Sequence, residues 1–204
     1  MAQVALEDGT RLELRPLGPE DKDGLAAGFR RLSAASRYRR FLSPTPQLSA
    51  RQLAYLTEVD HRDHEALVAV EPSSRDGLAV ARYVRSREHP EQAEFAVAVA
   101  DDWQRRGLGT VLLRHLAARA REEGITSFTG VALADNLPAR RLLERLGPVR
   151  LLGAHDGTVE VSLEIPEDPL ADEHGQLASW MRAAAAGALD TRLREPAAGS
   201  RTGA

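Results

Sequence analysis

The chain has 204 residues, 43% of them hydrophobic, and a formal net charge of −3. This length is typical of one domain with extensions, and the apolar fraction is enough to form a core. The absence of cysteine excludes disulfides, thiol nucleophiles and thiolate metal sites. No basic face favours nucleic acid, no apolar run is long enough to cross a membrane, and the N-terminus does not resemble a signal peptide. We therefore expect a cytoplasmic protein that binds neither nucleic acid nor membrane.

Short strands and helices alternate through the first hundred residues. A strand is predicted over residues 10–16, and a helix from Pro19 to about Leu32 with acidic residues in its first turn. A second helix is predicted over residues 50–57, with Ser49 as its N-cap. Three apolar segments with short connections then favour an antiparallel meander: residues 67–70, 78–85 and 91–100.

One polar segment, residues 33–49, interleaves three cations with two aromatic side chains: Arg37, Arg39, Arg40, Tyr38 and Phe41. Two interpretations fit this pattern. The first is a solvated helix end whose aromatic side chains contact the core, and the second is a wall of an acceptor site. We favour the first.

A second polar segment contains potential metal ligands: Asp60, His61, Asp63 and His64. No helix is predicted to bring them to one face, and the second histidine of a zinc-protease motif is lacking. We therefore expect a polar loop with hydrogen-bonded histidines, and no metal site.

The most informative stretch joins a strand to a helix through a glycine-containing turn. The apolar run of residues 95–100 leads to the turn QRRGLG, residues 104–109, and then to a helix with apolar residues at helical spacing. The first N–H groups of a helix lack internal partners and carry partial positive charge, and Gly107 and Gly109 would let a bulky anion approach them. The spacing fits a phosphate site and, equally well, a plain connection that needs glycine for its turn.

Two well-known phosphate loops do not fit this turn. The only lysine is Lys22, which excludes a Walker A loop, and Leu112 stands where the dinucleotide fingerprint needs its third glycine. The remaining pattern, Gln/Arg-x-x-Gly-x-Gly/Ala, resembles motif A of the GNAT superfamily, the acetyl-CoA-dependent N-acetyltransferases. The resemblance implies that acetyl-CoA is the co-substrate and that its pyrophosphate binds to the turn formed by Gln104, Arg105, Arg106, Gly107, Leu108, Gly109 and Thr110. The side chains of Arg105 and Arg106 either add charge-assisted bonds to phosphate or stay solvated.

A second GNAT-like motif follows one predicted strand later. The stretch N-x-x-A-x-x-L-x-x-x-L-G begins at Asn136, which would cap a short helix, and it resembles motif B. That resemblance implies that Asn136 contacts the coenzyme A arm. The resemblance to the GNAT superfamily as a whole covers residues 11–165. It implies the GNAT fold, an α/β (α+β) fold with a mixed, mostly antiparallel sheet of about seven strands flanked by four helices.

The chain divides into three parts on this basis. Residues 1–166 form the acetyltransferase domain, and residues 167–189 are expected to form a helical extension with a Leu, Trp and Met stripe. Residues 190–204 are rich in Pro, Gly, Ala and Arg, so we expect a disordered tail. Whether the chain forms a homodimer is left open.

Three N-terminal segments narrow the resemblance: LSAASRYRRFLSP, LSARQLAYLTEVD and HEALVAV. They look like the acetyltransferase domain of Pat-type bacterial protein lysine acetyltransferases, which is often fused to a regulatory domain that is not expected here. The implied acceptor is a protein lysine. A small-molecule amine is the alternative if an acidic pocket forms around Glu20, Asp21, Asp60 and Asp63. A third hypothesis for the function is a non-catalytic module that senses acetyl-CoA.

Acetyl transfer requires an amine that has lost its proton and a polarised thioester carbonyl. Glu94 resembles, by position, the glutamate base of Pat-type enzymes. Strand alternation places it on a narrow face with three alanines that could line a groove: Ala96, Ala98 and Ala100. The alternative is a solvated acid at the start of a strand.

The resemblance also assigns backbone roles. N–H groups near Val97 and Val99 would hold the pantetheine arm and polarise the carbonyl. Many GNAT enzymes have a motif B tyrosine that protonates the leaving thiolate, and Leu143 stands at that position. Either Tyr38 or water replaces it, or no acid is needed because a thiolate is a fair leaving group near neutral pH.

Overall fold

Eight strands form a single sheet in the computed structural model, which describes residues 1–171. In chain order they are β1 (Ala2–Ala5), β2 (Arg11–Pro16), β3 (His64–Val70), β4 (Gly77–Arg85), β5 (Gln92–Val99), β6 (Ser127–Leu133), β7 (Val149–His155) and β8 (Thr158–Glu164). They lie in the order β1-β2-β3-β4-β5-β6-β8-β7. Every neighbouring pair is antiparallel except β5 with β6, which confirms the expected mixed, mostly antiparallel sheet.

Within the described residues, five α-helices cover the two faces of the sheet: α1 (Lys22–Arg31), α2 (Ala34–Phe41), α3 (Ala50–Thr57), α4 (Leu108–Glu122) and α5 (Leu137–Glu144). Helix α4 packs against β3, β4 and β5. It buries one apolar stripe at helical spacing in the main core: Leu108, Leu112, Leu113, Leu116, Ala117 and Ala120. Helices α1 and α2 pack against β4 and β5, on the opposite face.

The sheet splits between β5 and β6. Strand β5 pairs with β4 from Ala93 to Val99, but with β6 only from Gln92 to Glu94. At the split, the ring of Phe95 lies so close to Gly130 of β6 that a Cβ there would meet it at 3.0 Å. The edge of β5 beyond Glu94 therefore has no strand partner on the β6 side.

Two differences from the sequence-based expectation concern the N-terminal region. There are eight strands rather than about seven, because residues Ala2–Ala5 pair with β2 in the register Ala2↔Leu14 to Ala5↔Arg11. Residues 1–171 contain five α-helices rather than four, because Ser33 starts a new helix by accepting the N–H of Ser36 on its side-chain oxygen at 3.1 Å. The segment expected to be a helix end is thus the separate helix α2.

The compact unit described by the structure runs from Met1 to Leu170. The expected helical extension of residues 167–189 lies outside the described residues beyond Ala171, and so does the expected tail of residues 190–204. Both stay predictions. Within residues 1–171, no helix is both long enough and apolar enough to cross a membrane.

Candidate active site

A cleft of about 660 Å³ opens where β5 and β6 separate. Strand β5, the turn into α4, helix α2 and helix α5 form its walls. Most of the residues that the sequence predicts to bind a cofactor line this cleft: Val97, Val99, Gln104, Arg105, Gly107, Gly109, Thr110 and Asn136. The structure therefore brings residues from two separate motifs into one site.

Backbone donors of β5 face the open edge of the cleft. The N–H of Ala100 donates to the carbonyl of Leu78 at 2.8 Å, one residue beyond the pair Ala79↔Val99 at the end of the β4–β5 ladder. Since N–H groups alternate sides along a strand, those of Val97 and Val99 point away from β4. Strand β6 pairs with β5 only as far as Glu94, so no strand covers these two donors. The carbonyl of Val99 accepts from Gln104 Nε2 at 3.1 Å, which fixes the turn against the strand.

The turn into α4 supplies a second set of donors. Gly107 is the N-cap of α4 and has a φ of 85°, a left-handed conformation that glycine adopts without strain. The first helical bonds run from the N–H groups of Thr110 and Val111 to the carbonyl of Gly107, at 3.0 and 3.1 Å. The preceding N–H groups of Leu108 and Gly109 lie before the start of this helical pattern and are available to an anion.

The side chains of the turn differ in whether they line the cleft. Leu108 is 1% exposed in the core, so only its backbone can reach a ligand. Arg105, with a φ of 63°, lines the cleft. Arg106 does not line it: its guanidinium pairs with Asp8 at 2.7 Å and lies 4.2 Å from the centre of the Trp103 ring. Arg106 therefore ties the turn to the N-terminal hairpin.

The cleft is rich in cations, of which sequence reasoning missed Arg141 and Arg145. Five arginines line it: Arg39, Arg40, Arg105, Arg141 and Arg145. Within residues 1–171 their guanidinium groups form no hydrogen bond or ion pair. Arg141 and Arg145 are one helical turn apart at the end of α5, which the sequence could have revealed, whereas Arg39 depends on how α2 packs. Such a lining suits a polyanionic ligand.

Motif B contributes a cap and a core residue. Asn136 Oδ1 accepts the N–H of Ala139 at 3.2 Å, which caps α5 beside the cleft. Leu143 is 5% exposed and belongs to the main core. Tyr38 is 44% exposed on α2 and does not line the cleft, so its role as an alternative acid gains no support from its position.

Asp101 connects the cofactor turn to helix α2. Its carboxylate accepts hydrogen bonds from Ser33 N–H at 2.6 Å, from Ser36 Oγ at 2.5 Å and from Gln104 Nε2 at 3.1 Å. Although burial acts to raise it, these hydrogen bonds hold the pKa of Asp101 below its usual range. One carboxylate thus positions both Gln104 and the start of α2.

The substitution Asp101→Asn should lower the free energy of unfolding by about 1 kcal/mol, because it removes charge-assisted hydrogen bonds at a partly solvated site. The stabilisation by the carboxylate is complete above about pH 5 and is lost as the pH falls through its lowered pKa. Wild-type stability should therefore fall more steeply with acid than that of the variant, as measured by urea unfolding over this pH range. The exposed neighbour provides the control Asp102→Asn, and equal behaviour of the two variants would contradict the role of Asp101.

Glu94 lies at the point where the strands separate, on the face covered by α1, α2 and α3. It is exposed and pairs across the sheet with Val84, which pairs in turn with His64, so Glu94 and His64 share one face. The next residues on this face line a smaller cavity of about 110 Å³: Ala96, Ala98 and Ala100. Their neighbours pack against the main core on the other face: Phe95, Val97 and Val99. The strand therefore alternates as its sequence predicts.

A polar cluster that the sequence did not reveal surrounds this position. Arg82 donates to the carbonyl of Leu56 at 2.7 Å and lies 3.2 Å from His64 Nε2, and the ring of Tyr55 is 5.0 Å from that of His64. Burial, and then the charge of Arg82, lower the pKa of His64, which is therefore neutral near pH 7. Burial, and then the charge of Arg40, lower the pKa of Arg82 to about 10.

The loop of residues 60–64 is held by its own hydrogen bonds. Asp60 Oδ1 accepts the N–H groups of Arg62, Asp63 and His64 at 2.8–2.9 Å, and His61 Nδ1 lies 2.7 Å from a carboxylate oxygen of Glu65. These contacts agree with a polar loop. No cluster of His, Cys, Asp or Glu suited to a metal ion occurs in the described part of the chain.

Comparison with known proteins identifies the family. The profile of the Acetyltransferase (GNAT) family matches residues 32–147, which include the split strand, the turn into α4 and Asn136. The chain belongs to the GNAT acetyltransferase family. The expected GNAT fold and the enzyme class are thereby confirmed, and the family uses acetyl-CoA.

Three acetyltransferases illustrate which members of the family this chain is similar to. It is 37% identical to acetyltransferase Pat of Mycolicibacterium smegmatis over 149 residues, which cover 72% of this chain and 44% of Pat. It is 35% identical over 156 residues to acetyltransferase PA5475 of Pseudomonas aeruginosa, covering 76% and 83% of the two chains. The crystal structure of the GNAT domain of S. lividans PAT matches with a TM-score of 0.75 and 31% identity, covering 80% of this chain and 96% of that domain. The match to M. smegmatis Pat thus spans less than half the length of that protein.

Proposed function

We propose that this GNAT acetyltransferase transfers an acetyl group from acetyl-CoA to a primary amine, the lysine side chain of a protein, with Glu94 as the general base. One observation carries the proposal. Where β5 leaves β6, the carboxylate of Glu94 precedes the uncovered N–H groups of Val97 and Val99 on the same strand, and the cleft that Val97 and Val99 line leads to the free N–H groups of α4. A base, donors for a developing negative charge and an anion site therefore meet at one strand.

The cleft fits coenzyme A in charge and in shape. Its cluster of arginines and the uncovered donors at the start of α4 match a pyrophosphate, and Gly109 leaves room beside Val99, where a Cβ would make ordinary contact at 3.5 Å. Gln104 through Thr110 would hold the pyrophosphate, and Asn136 would contact the pantetheine arm. When bound, acetyl-CoA supplies an acetyl group activated as a thioester.

The other steps of the transfer are assigned to residues of the chain. Glu94 accepts the proton of the acceptor ammonium, directly or through water, because an ammonium has no lone pair to attack with. The N–H groups of Val97 and Val99 donate to the carbonyl oxygen as negative charge builds on it. No covalent bond to the enzyme is required. The departing thiolate is stable enough near neutral pH that Leu143 in place of an acid is tolerated.

Two features favour protein lysine over a small polycation as the acceptor. The first is the resemblance to Pat-type lysine acetyltransferases. The second is that most of the acids that could have formed a polyamine pocket are engaged elsewhere. Asp21 is paired with Arg15 at 2.6 Å, Asp63 with Arg85 at 2.8 Å, and Asp60 is bound by backbone N–H groups.

Release of free thiol from acetyl-CoA, followed with separate acceptors, tests the proposal. We expect release with lysine-containing peptides or proteins, and mass spectrometry should locate the acetyl group on the lysine Nζ. Release with polyamines or other small amines alone would assign the chain a small-molecule acceptor. Coenzyme A binding without release from any acceptor would contradict both and would leave a sensing module.

A further inference from the structure

Arg40 occupies a position shared by the cofactor cleft and the smaller cavity on the Glu94 face. It lies in the last turn of α2, which packs against β5. Three residues line both the cofactor cleft and the smaller cavity on the Glu94 face: Leu32, Arg40 and Ala98. Arg40 is the charged one of these three. It therefore places a cation beside the strand where acceptor and thioester would meet.

The guanidinium of Arg40 has no polar partner within residues 1–171. It lies over the ring of Phe41, with 4.8 Å between the guanidinium carbon and the ring centre. Other arginines nearby are held by the protein itself: Arg37 donates to the carbonyl of Pro46 at 2.7 Å, and Arg82 donates to that of Leu56. Burial of Arg40 lowers its pKa. A partly desolvated cation without a polar partner is costly in the free protein, and an anionic ligand would relieve that cost.

The charges around the acceptor position do not balance. Arg40 and Arg82 are close enough to influence each other electrostatically, and Glu94 is the carboxylate within range of Arg40. His64, on the same face, is neutral near pH 7. An acceptor that brought only an ammonium would add a third cation to this group. An acceptor that also carried a carboxylate would bring the missing negative charge.

We propose that Arg40 binds a carboxylate carried by the acceptor close to its reactive amine. The inference rests on the acetyl transfer proposed above and names the acceptor class more closely. The carboxylate comes either from an acidic side chain next to the target lysine or from a small amino acid. The other four arginines of the cofactor cleft remain available to bind the phosphates of coenzyme A, and none of them lines the cavity on the Glu94 face.

Matched pairs of acceptors distinguish the two sources. One pair is a lysine peptide with glutamate next to the lysine and the same peptide with glutamine there. The other pair is β-alanine and propylamine, which differ in the carboxylate. With the wild-type protein, kcat/KM should be about tenfold higher for the acidic member of at least one pair, the usual value of one charge-assisted hydrogen bond. A preference in the peptide pair assigns a protein acceptor, and a preference in the second pair assigns a small amino acid.

The variant Arg40→Gln should reduce this preference to nearly equal values, and Arg40→Lys should restore part of it. Arg30→Gln removes an equal charge from an exposed position on α1 and should leave the preference intact. Thermal melting checks that each variant is folded. Equal kcat/KM values for both members of each pair in the wild type would overturn the inference, as would an Arg40→Gln variant that slows both members equally. Either result leaves the proposed acetyl transfer standing, which fails only if no amine releases thiol.

Discussion

The substitution Glu94→Gln should lower kcat by about 100- to 10,000-fold, the usual range for the loss of a general base. Glutamine keeps the size of the side chain and one acceptor oxygen, but its amide cannot accept the ammonium proton at neutral pH. Glu94 is exposed and forms no ion pair with another residue within 1–171, so the fold should not depend on it. Coenzyme A affinity should be unchanged, because the arginines and the α4 turn line the cofactor cleft and Glu94 does not.

The pH dependence separates loss of a base from general damage. A free lysine amine has a pKa of about 10.4, so raising the pH supplies neutral amine without help from the enzyme. The deficit of Glu94→Gln should therefore shrink steadily as the pH rises toward that value, whereas a misfolded variant would show no such recovery. Glu91→Gln, at an exposed site just before β5, is the matched control and should keep wild-type turnover. A Glu94→Gln variant with normal kcat at neutral pH would remove Glu94 from the mechanism.

Local patterns in the sequence were enough to locate the central unit of the site. The turn of residues 104–109 lies between a strand and a helix, and the first N–H groups of any helix lack internal partners. These donors could therefore be predicted without tertiary structure. The face shared by Glu94 with Ala96, Ala98 and Ala100 could be predicted as well, because side chains alternate along any strand. Both predictions rest on covalent neighbours and on the periodicity of one element.

The parts that escaped prediction depend on contacts between distant segments. Strand β1 has only four residues and gains its conformation from pairing with β2, not from its own sequence. The alignment of Glu94 with His64 requires the register of three strands. Arg40 could be recognised as a cluster member from the sequence, but its place between two cavities follows from the packing of α2 on β5.

The substitution Gly109→Glu should raise the Kd for coenzyme A by about 100-fold or more, because like charges brought together in a binding site cost several kcal/mol. Gly109 is the second residue of α4 and lines the cleft next to Arg105. A carboxylate there would lie among the arginines and N–H donors that we propose bind the pyrophosphate. Isothermal titration with coenzyme A measures the loss directly.

The same substitution should leave the fold intact or slightly more stable, and this opposite effect makes the test sharp. A glutamate in the first turn of a helix interacts favourably with the helix dipole, by about 0.3–1 kcal/mol. A Cβ at Gly109 makes only ordinary contacts, at 3.5 Å from Val99 and 3.6 Å from Leu142, so Gly109→Ala is a control that should keep coenzyme A binding within a few-fold of wild type. Lost binding together with an unchanged or higher melting temperature places the anion site at the start of α4. Wild-type affinity in Gly109→Glu would instead move the pyrophosphate away from this turn, and the cleft arginines would then have to bind it without the helix.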